Sequence, residues 1–332
     1  MSIVGILANP ASGKDIRRLV AHGSVFDNQE KVRMVRRLIL GLERGGASRV
    51  VYMPDSYATV PRALNAISPS IPVEPIEMPM RGNQQDTTTA AGIMETLGVG
   101  CMVVLGGDGT SRAACKGTVE IPILPLSTGT NNVFPFMGEA TVAGLAAGIV
   151  AGGTLPREAC CTRACMFDIL RGKNLSEMEP ADIALVDAAV YDDVFLASRA
   201  VWHMEKVPQL FLTRCSASAI GLSAIGGQLR SIRPEEPLGL ALALGEPART
   251  TVTAAIAPGM FAEVAVREIR EMRPGEVHPV SVSPGLIAVD GEREVEIHRG
   301  ERAAVRLNTH GPLVVDVGRV MALAREMEIF CR

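Results

Sequence analysis

The chain of 332 residues carries 33 Lys and Arg against 36 Asp and Glu, a formal net charge of -3, with 47 % hydrophobic and 21 % charged residues. That is the profile of a folded globular protein of about two domains, and it excludes a chain left disordered for want of apolar surface. No basic block is long enough to track a polyanion, and eight Phe, three Tyr and one Trp supply few stacking platforms, so nucleic acid is not expected as a partner.

Met1–Pro10 runs straight into a strand-like apolar segment with no basic stretch before it, so no secretory leader is expected. The segment Ile3–Ala8 reads as a buried strand, followed by a helix that Asp27 can cap, with Glu30 completing a capping box. Val32, Val35, Leu38, Ile39 and Leu42 share one face of that helix, and Gly45 and Gly46 end it. Arg49–Met53, Cys101–Leu105 and Ile121–Leu126 are further buried strands, with helices expected at Asp86–Leu97 and from Thr110 onward. Strand and helix alternating in this way predict a parallel sheet.

A Gly-rich helix over residues 139–152 comes next. Ala140–Pro156 is the longest low-charge stretch, yet it falls short of the roughly 20 apolar residues of a membrane span. From there the pattern changes to short alternating segments: Ala164–Leu170, Asp182–Val190, Leu238–Leu244, Thr250–Ala257, Val277–Val282, Leu286–Val289, Val295–His298 and Ala303–Leu307. These predict an antiparallel β domain. Leu313–Val317 and a helix over Arg319–Phe330 return to the first style. Residues 1–138 and 310–332 are therefore expected to form one unit and residues 139–309 the second.

Seven cysteines form no Cys-x-x-Cys pair, and Cys160, Cys161 and Cys165 lack a nearby His. Reduced, mostly buried thiols in a soluble cytoplasmic protein are expected. His22, His203, His278, His298 and His310 have no metal spacing and are read as structural or surface residues.

Chemistry concentrates in three loops, each leaving an apolar strand. Val103–Val104–Leu105 breaks into Gly106–Gly107–Asp108–Gly109–Thr110, where bare backbone N–H groups and a helix N-terminus suit a phosphate. A carboxylate in such a cradle makes sense as a Mg²⁺ ligand or as acceptor of a hydroxyl proton; the alternative is a tight turn with an incidental Asp108. Asn9–Pro10–Ala11–Ser12–Gly13–Lys14 offers a hydroxyl, a glycine and an ammonium but departs from Walker A at Ala8 and Asp15, leaving a solvated turn open. Ser127–Thr128–Gly129–Thr130–Asn131–Asn132 supplies hydroxyls and amides. The carboxyl ends of parallel strands are where nucleotides sit in open α/β sheets.

With these loops the chain resembles the NAD kinase and diacylglycerol kinase superfamily, whose hallmark is a Gly-Gly-Asp-Gly-Thr loop, and within it the acetoin-catabolism protein X group. Asn9–Gly13 is similar to the Asn-Pro-x-Ser-Gly loop of the lipid kinases, and Ile121–Phe134 to the NAD kinase strand and turn, with Pro125 and Ser127 in place of Gly and Asn. Ala184–Val190 resembles the Asn-Glu motif, with Val186 for Asn and Asp187 for Glu. Ser216–Gly227 resembles the stretch lining the dinucleotide site, with Ile220 for its Tyr. Asp290–Gly291–Glu292 stands where the superfamily carries Asp-Gly-Glu, although Asp-Gly is also a common hairpin turn.

The resemblance implies a Rossmann-like N-terminal domain with a parallel sheet and a C-terminal β-sandwich, an ATP- and Mg²⁺-dependent kinase with NAD⁺ or a related nucleotide as acceptor, and a homo-oligomer. Asn9, Ser12, Gly13, Lys14, Gly106, Gly107, Asp108, Gly109, Thr110, Thr128, Gly129, Asn131 and Asn132 would hold nucleotide, with Asp108 at the metal. Asp187, Ser216, Ser218 and Asp290 would meet the acceptor, and Asp108, Asp290 and Glu292 are the candidate catalytic carboxylates. A diol or lipid hydroxyl kinase and a non-catalytic ATP/NAD(H) sensor are the alternatives.

Overall fold

The structure, a computed structural model, describes residues 2–10, 27–129, 132–174, 177–192 and 204–331. Its first half alternates β1 (Ile3–Ala8), α1 (Asn28–Arg44), β2 (Arg49–Tyr52), α2 (Thr59–Leu64), β3 (Val73–Pro75), α3 (Gln84–Thr96), β4 (Cys101–Gly106), α4 (Asp108–Gly117) and β5 (Ile123–Ser127). Every residue of β1, β4 and β5 is buried, as expected of strands covered on both faces. Asp27 caps α1 by accepting from the Glu30 N–H at 2.7 Å, and the predicted apolar stripe of that helix is buried.

After β5 come α5 (Ala140–Gly152), α6 (Arg157–Cys160) and β6 (Cys161–Arg163), and the chain returns at its end with β18 (Leu313–Val315) and α8 (Val317–Glu326). The first sheet runs β3-β2-β1-β4-β5-β18-β6, parallel throughout except for β6, which is antiparallel to β18. One face is covered by α1, α5 and α8 through Leu38, Ala143 and Val320, the other by α3 and α4 through Met94 and Ala114. Because α5 lies on this sheet and β6 extends it, strands and helices of the first sheet continue through Arg163, past the boundary expected at residue 139.

The second half is antiparallel. It comprises β7 (Met166–Gly172), β8 (Glu179–Ala184), β9 (Asp187–Tyr191), β10 (Gln209–Leu212), α7 (Ser223–Gly227), β11 (Gly239–Leu244), β12 (Thr250–Ala257), β13 (Met260–Met272), β14 (Val277–Pro279), β15 (Gly285–Val289), β16 (Glu292–Ile297) and β17 (Arg302–Asn308). They form a seven-stranded sheet, β12-β13-β11-β10-β9-β15-β16, and a four-stranded sheet, β14-β17-β7-β8. Phe167, Ile169, Phe211, Ile287, Val305 and Leu307 fill the space between the two sheets, with the Phe167 and Phe211 rings edge to face at 6.3 Å. This is the expected sandwich.

Besides short elements the sequence reading did not give, such as β3 and β10, two segments differ from it in kind. Asp182–Val190 is not one strand: β8 ends at Ala184, Leu185 and Val186 turn away, and β9 begins at Asp187. The fully buried Val186 joins the core around Ala114, Cys115 and Phe134 of the first unit. That insertion of apolar side chains is why the run looks continuous in sequence. The 13-residue β13 is the other difference: Arg267–Glu271 are exposed in succession, so it shows no strand-like alternation there.

Candidate nucleotide site

The order β3-β2-β1-β4-β5 reverses direction between β1 and β4, the switch point at which open α/β sheets leave a crevice. Asn9 follows β1 and Gly107 follows β4, so the first residue of one predicted phosphate loop and the Gly106–Thr110 loop flank that crevice. They are joined across it: Asn9 Nδ2 donates to Thr110 Oγ1 at 3.1 Å, and the Asn9 N–H to the Leu105 carbonyl at 3.3 Å. The third loop closes on the same place, its Thr128 N–H donating to the Gly106 carbonyl at 3.2 Å. Within it, Asn132 Nδ2 donates to Ser127 Oγ at 2.7 Å and to the Gly129 carbonyl at 3.3 Å.

The glycines admit close neighbours. A Cβ at Gly106 would stand 2.5 Å from Thr110 Oγ1, one at Gly107 2.7 Å from Asn132 Oδ1, and one at Gly109 2.6 Å from Glu292 Oε1. The loop is thus lined by a hydroxyl, an amide and a carboxylate, with the N-terminal end of α4 beneath.

The three candidate carboxylates have three different settings. Asp108, the first residue of α4, accepts from the Phe134 N–H at 2.8 Å and the Val133 N–H at 3.0 Å, which fastens the Asn132 loop to the helix. Asp290 is buried, and its carboxylate accepts from the N–H groups of Leu185, Val186 and Asp187 at 2.9, 2.7 and 3.2 Å. Burial pushes its pKa up to about 6, against the opposing pull of Arg112 and those N–H groups. With φ of 49° at Asp290 and 77° at Gly291, the pair forms the hairpin turn between β15 and β16. Asp290, one of the three candidate catalytic carboxylates, thus shapes the Leu185–Asp187 turn.

Glu292 stands at the edge. Its side chain is 48 % exposed, and Oε2 accepts from Gln84 Nε2 at 3.0 Å beside Arg112 Nη2 at 3.5 Å. It is the most exposed of the three carboxylates, Asp108 being partly exposed, and is seated over Gly109.

Among the predicted acceptor residues, Asp187 is buried at the start of β9, while the hydroxyls of half-buried Ser216 and exposed Ser218 meet each other at 3.0 Å. Ser12, Gly13, Lys14 and Asn131 lie outside the described residues.

Sequence reading missed the cations. Arg112, on α4, is fully buried and pairs with Asp182 of β8 at 2.9 Å; Asp290 lies 3.8 Å from its Nε. Lys116 adds a 3.1 Å pair to the same Asp182. Arg214, just past β10, is buried with its guanidinium carbon 4.6 Å from the centre of the Phe134 ring, and burial lowers its pKa to about 10. Lys31 of α1 is fully buried and donates from Nζ to the carbonyls of Asn9 and Pro10 at 2.9 and 3.4 Å. A lone Arg or Lys in a helix ordinarily reads as solvated, so no sequence signal singled these out.

Among the described residues no three His, Cys, Asp or Glu side chains gather as a metal site. Asp108, at the start of α4 beside the glycine loop, is the carboxylate that would hold a Mg²⁺ otherwise carried by phosphate and water oxygens. Six of the seven cysteines are buried and Cys331 is exposed, and burial raises the pKa of Cys160, Cys165 and Cys215 among others. No helix among the described residues is long and apolar enough to cross a membrane.

A parallel sheet with phosphate-type loops at its switch point, followed by a two-sheet sandwich, defines the NAD kinase fold. The ATP-NAD kinase N-terminal domain family matches residues 4–154, and the acetoin catabolism protein X C-terminal domain family matches residues 169–310. Yeast NADH kinase, solved with NADH, superposes with a TM-score of 0.51 at 13 % identity over 99 % of this chain and 88 % of that one. A diacylglycerol kinase from Bacillus anthracis str. Sterne gives a TM-score of 0.39 at 12 % identity, over 95 % of this chain and 96 % of that one. Acetoin catabolism protein X of Cupriavidus necator is 35 % identical over 329 residues, covering 96 % of this chain and 91 % of its own. The chain belongs to the acetoin catabolism protein X family.

Proposed function

We propose that this protein is an ATP-dependent small-molecule kinase whose first-choice acceptor is a hydroxyl of NAD⁺ or a related nucleotide. The observation that carries the reading is the joining of Asn9 to Thr110 across the β1/β4 switch point, which brings the residue that follows β1 to the Gly106–Thr110 loop at one crevice. Catalysis there is positioning and charge stabilisation. The α4 N-terminus, Asn9, Thr110, Thr128 and Asn132 hold the donor phosphates, and Mg²⁺ held with Asp108 would neutralise their charge. As the acceptor oxygen bonds to the γ-phosphorus, the bond from that phosphorus to ADP breaks. Glu292 takes the hydroxyl proton, since it is the most exposed of the three candidate carboxylates and lies over Gly109.

Ligand-dependent stability tests the reading. A ligand bound only by the folded state stabilises it by roughly 2.7 kcal/mol at a hundredfold excess over its dissociation constant. NAD⁺ and ATP with Mg²⁺ should each raise the melting temperature, and a diacylglycerol or sphingoid base should not. A shift with ATP alone favours a diol acceptor. A shift with neither overturns the proposal. A second reading, a nucleotide sensor without transfer, draws on Asp108: its carboxylate already accepts two backbone N–H groups, as a purely structural residue would.

A further inference from the structure

Arg214 stands apart from the other buried cations. Arg112 and Lys31 have acceptors within hydrogen-bond reach, whereas the guanidinium of Arg214 makes no hydrogen bond or ion pair among the described residues, and its Nε is fully enclosed. The residue as a whole is 7 % exposed. An arginine carries five N–H donors, and leaving them unmet inside a protein is costly, so this side chain is kept for something else.

Its position says what. The guanidinium lies over the face of Phe134, whose own N–H is bonded to Asp108, so it stands beside the phosphate loop. It arrives from the sandwich, ahead of Ser216 and Ser218, opposite the loops that would hold the donor. Asp108 and Asp290 act on its charge from beyond ion-pairing distance, which keeps it cationic while leaving its donors unused. Stacking on an aromatic face orients the planar fork without consuming those donors.

We infer that Arg214 binds an anionic group of the acceptor, a phosphate or pyrophosphate, and thereby selects phosphate-bearing acceptors over uncharged alcohols. This rests on the kinase reading for the word acceptor, but the anion site itself stands or falls separately. Planar bidentate recognition of phosphate is the task for which Arg is suited and Lys is not.

Titration calorimetry on the full chain tests this. Inorganic pyrophosphate is titrated into protein already given a saturating non-hydrolysable ATP analogue, and NAD⁺ and adenosine are titrated in parallel. Arg214→Met should weaken pyrophosphate and NAD⁺ by about tenfold or more while adenosine stays within about twofold. Arg214→Lys retains the charge facing Asp108 and Asp290, so it should keep the wild-type melting temperature yet still lose about tenfold in pyrophosphate affinity. That variant decides the matter if Arg214→Met does not fold. A loss below about threefold in the folded variant, or a wild-type protein that binds no pyrophosphate, overturns the inference. Loss of pyrophosphate binding with no NADP⁺ formed by the wild type would retain the anion site and reject the NAD⁺ kinase reading.

Discussion

Arg112 and Asp182 form an ion pair at 2.9 Å with side chains 0 % and 4 % exposed, one residue on the helix that follows the glycine loop and the other on the outer strand of the sandwich. The pair ties the helix after the glycine loop to the sandwich. Asp290 and Glu292 stand around the same guanidinium, so four charges hold one joint.

Breaking one side of a buried pair leaves an uncompensated charge and costs about 3–5 kcal/mol. Arg112→Met should therefore lower the unfolding free energy by that order in urea titration. The double variant Arg112→Met/Asp182→Asn should lose clearly less than the sum of the two single losses. Additive losses would show that the two residues do not interact.

Asp290 predicts a pH dependence of definite sign. Its folded pKa is raised to about 6 by burial, so the native state binds the proton more tightly than the unfolded chain, whose Asp titrates near 3.9. The stabilisation from that proton is fully present below about pH 4 and is lost as pH rises through about 6. In Asp290→Asn this site no longer titrates, and its amide cannot accept all the N–H groups of the Leu185–Asp187 turn. The stability of the wild type relative to Asp290→Asn should thus fall between pH 4 and 7 in thermal melts; a difference that grows over that range would contradict the assignment.

Helices α1 and α5 cross at the glycine pairs Gly41/Gly45 and Gly144/Gly148, where backbone meets backbone. A Cβ on Gly144 would press on the Leu38 carbonyl oxygen and stand 2.9 Å from the Leu42 nitrogen. Ala favours a helix over Gly by about 1 kcal/mol, while overpacking against an unyielding backbone costs about 1–3 kcal/mol. The second effect should win, and Gly144→Ala should melt lower than the wild type. A rise in melting temperature would mean that the crossing yields.

Asp108→Asn should lower stability by about 1–3 kcal/mol: one oxygen can still accept from Phe134 and Val133, but the amide nitrogen replaces the oxygen 3.2 Å from the Val133 N–H and sets donor against donor. ATP binding should survive in calorimetry while transfer is lost. Transfer at the wild-type rate would reduce Asp108 to a turn residue.

The parts of this molecule that obey local rules were legible in its residues. Asp27 announced a helix start, although the Glu30 carboxylate turns to Arg37 and leaves the capping box half made; the unbroken apolar runs announced strands buried on both faces, and Asp290–Gly291 announced a hairpin turn that the φ values confirm. What was not legible depends on distant partners. Arg112 reads as a solvated helix residue until Asp182 folds onto it, and Val186 reads as mid-strand until Asp290 takes its N–H and the side chain enters the other domain's core. Strand β13 hid for the opposite reason, since Arg267–Glu271 offer water both faces and leave no alternation to detect.

Transfer of labelled phosphate is the most direct test. The purified chain, incubated with γ-labelled ATP, Mg²⁺ and NAD⁺, should place label in NADP⁺, and Glu292→Gln should slow that step by roughly 10²–10⁴-fold if Glu292 accepts the hydroxyl proton. No label in NADP⁺ from a folded protein that binds both nucleotides would contradict the account, as would a Glu292→Gln variant as fast as the wild type.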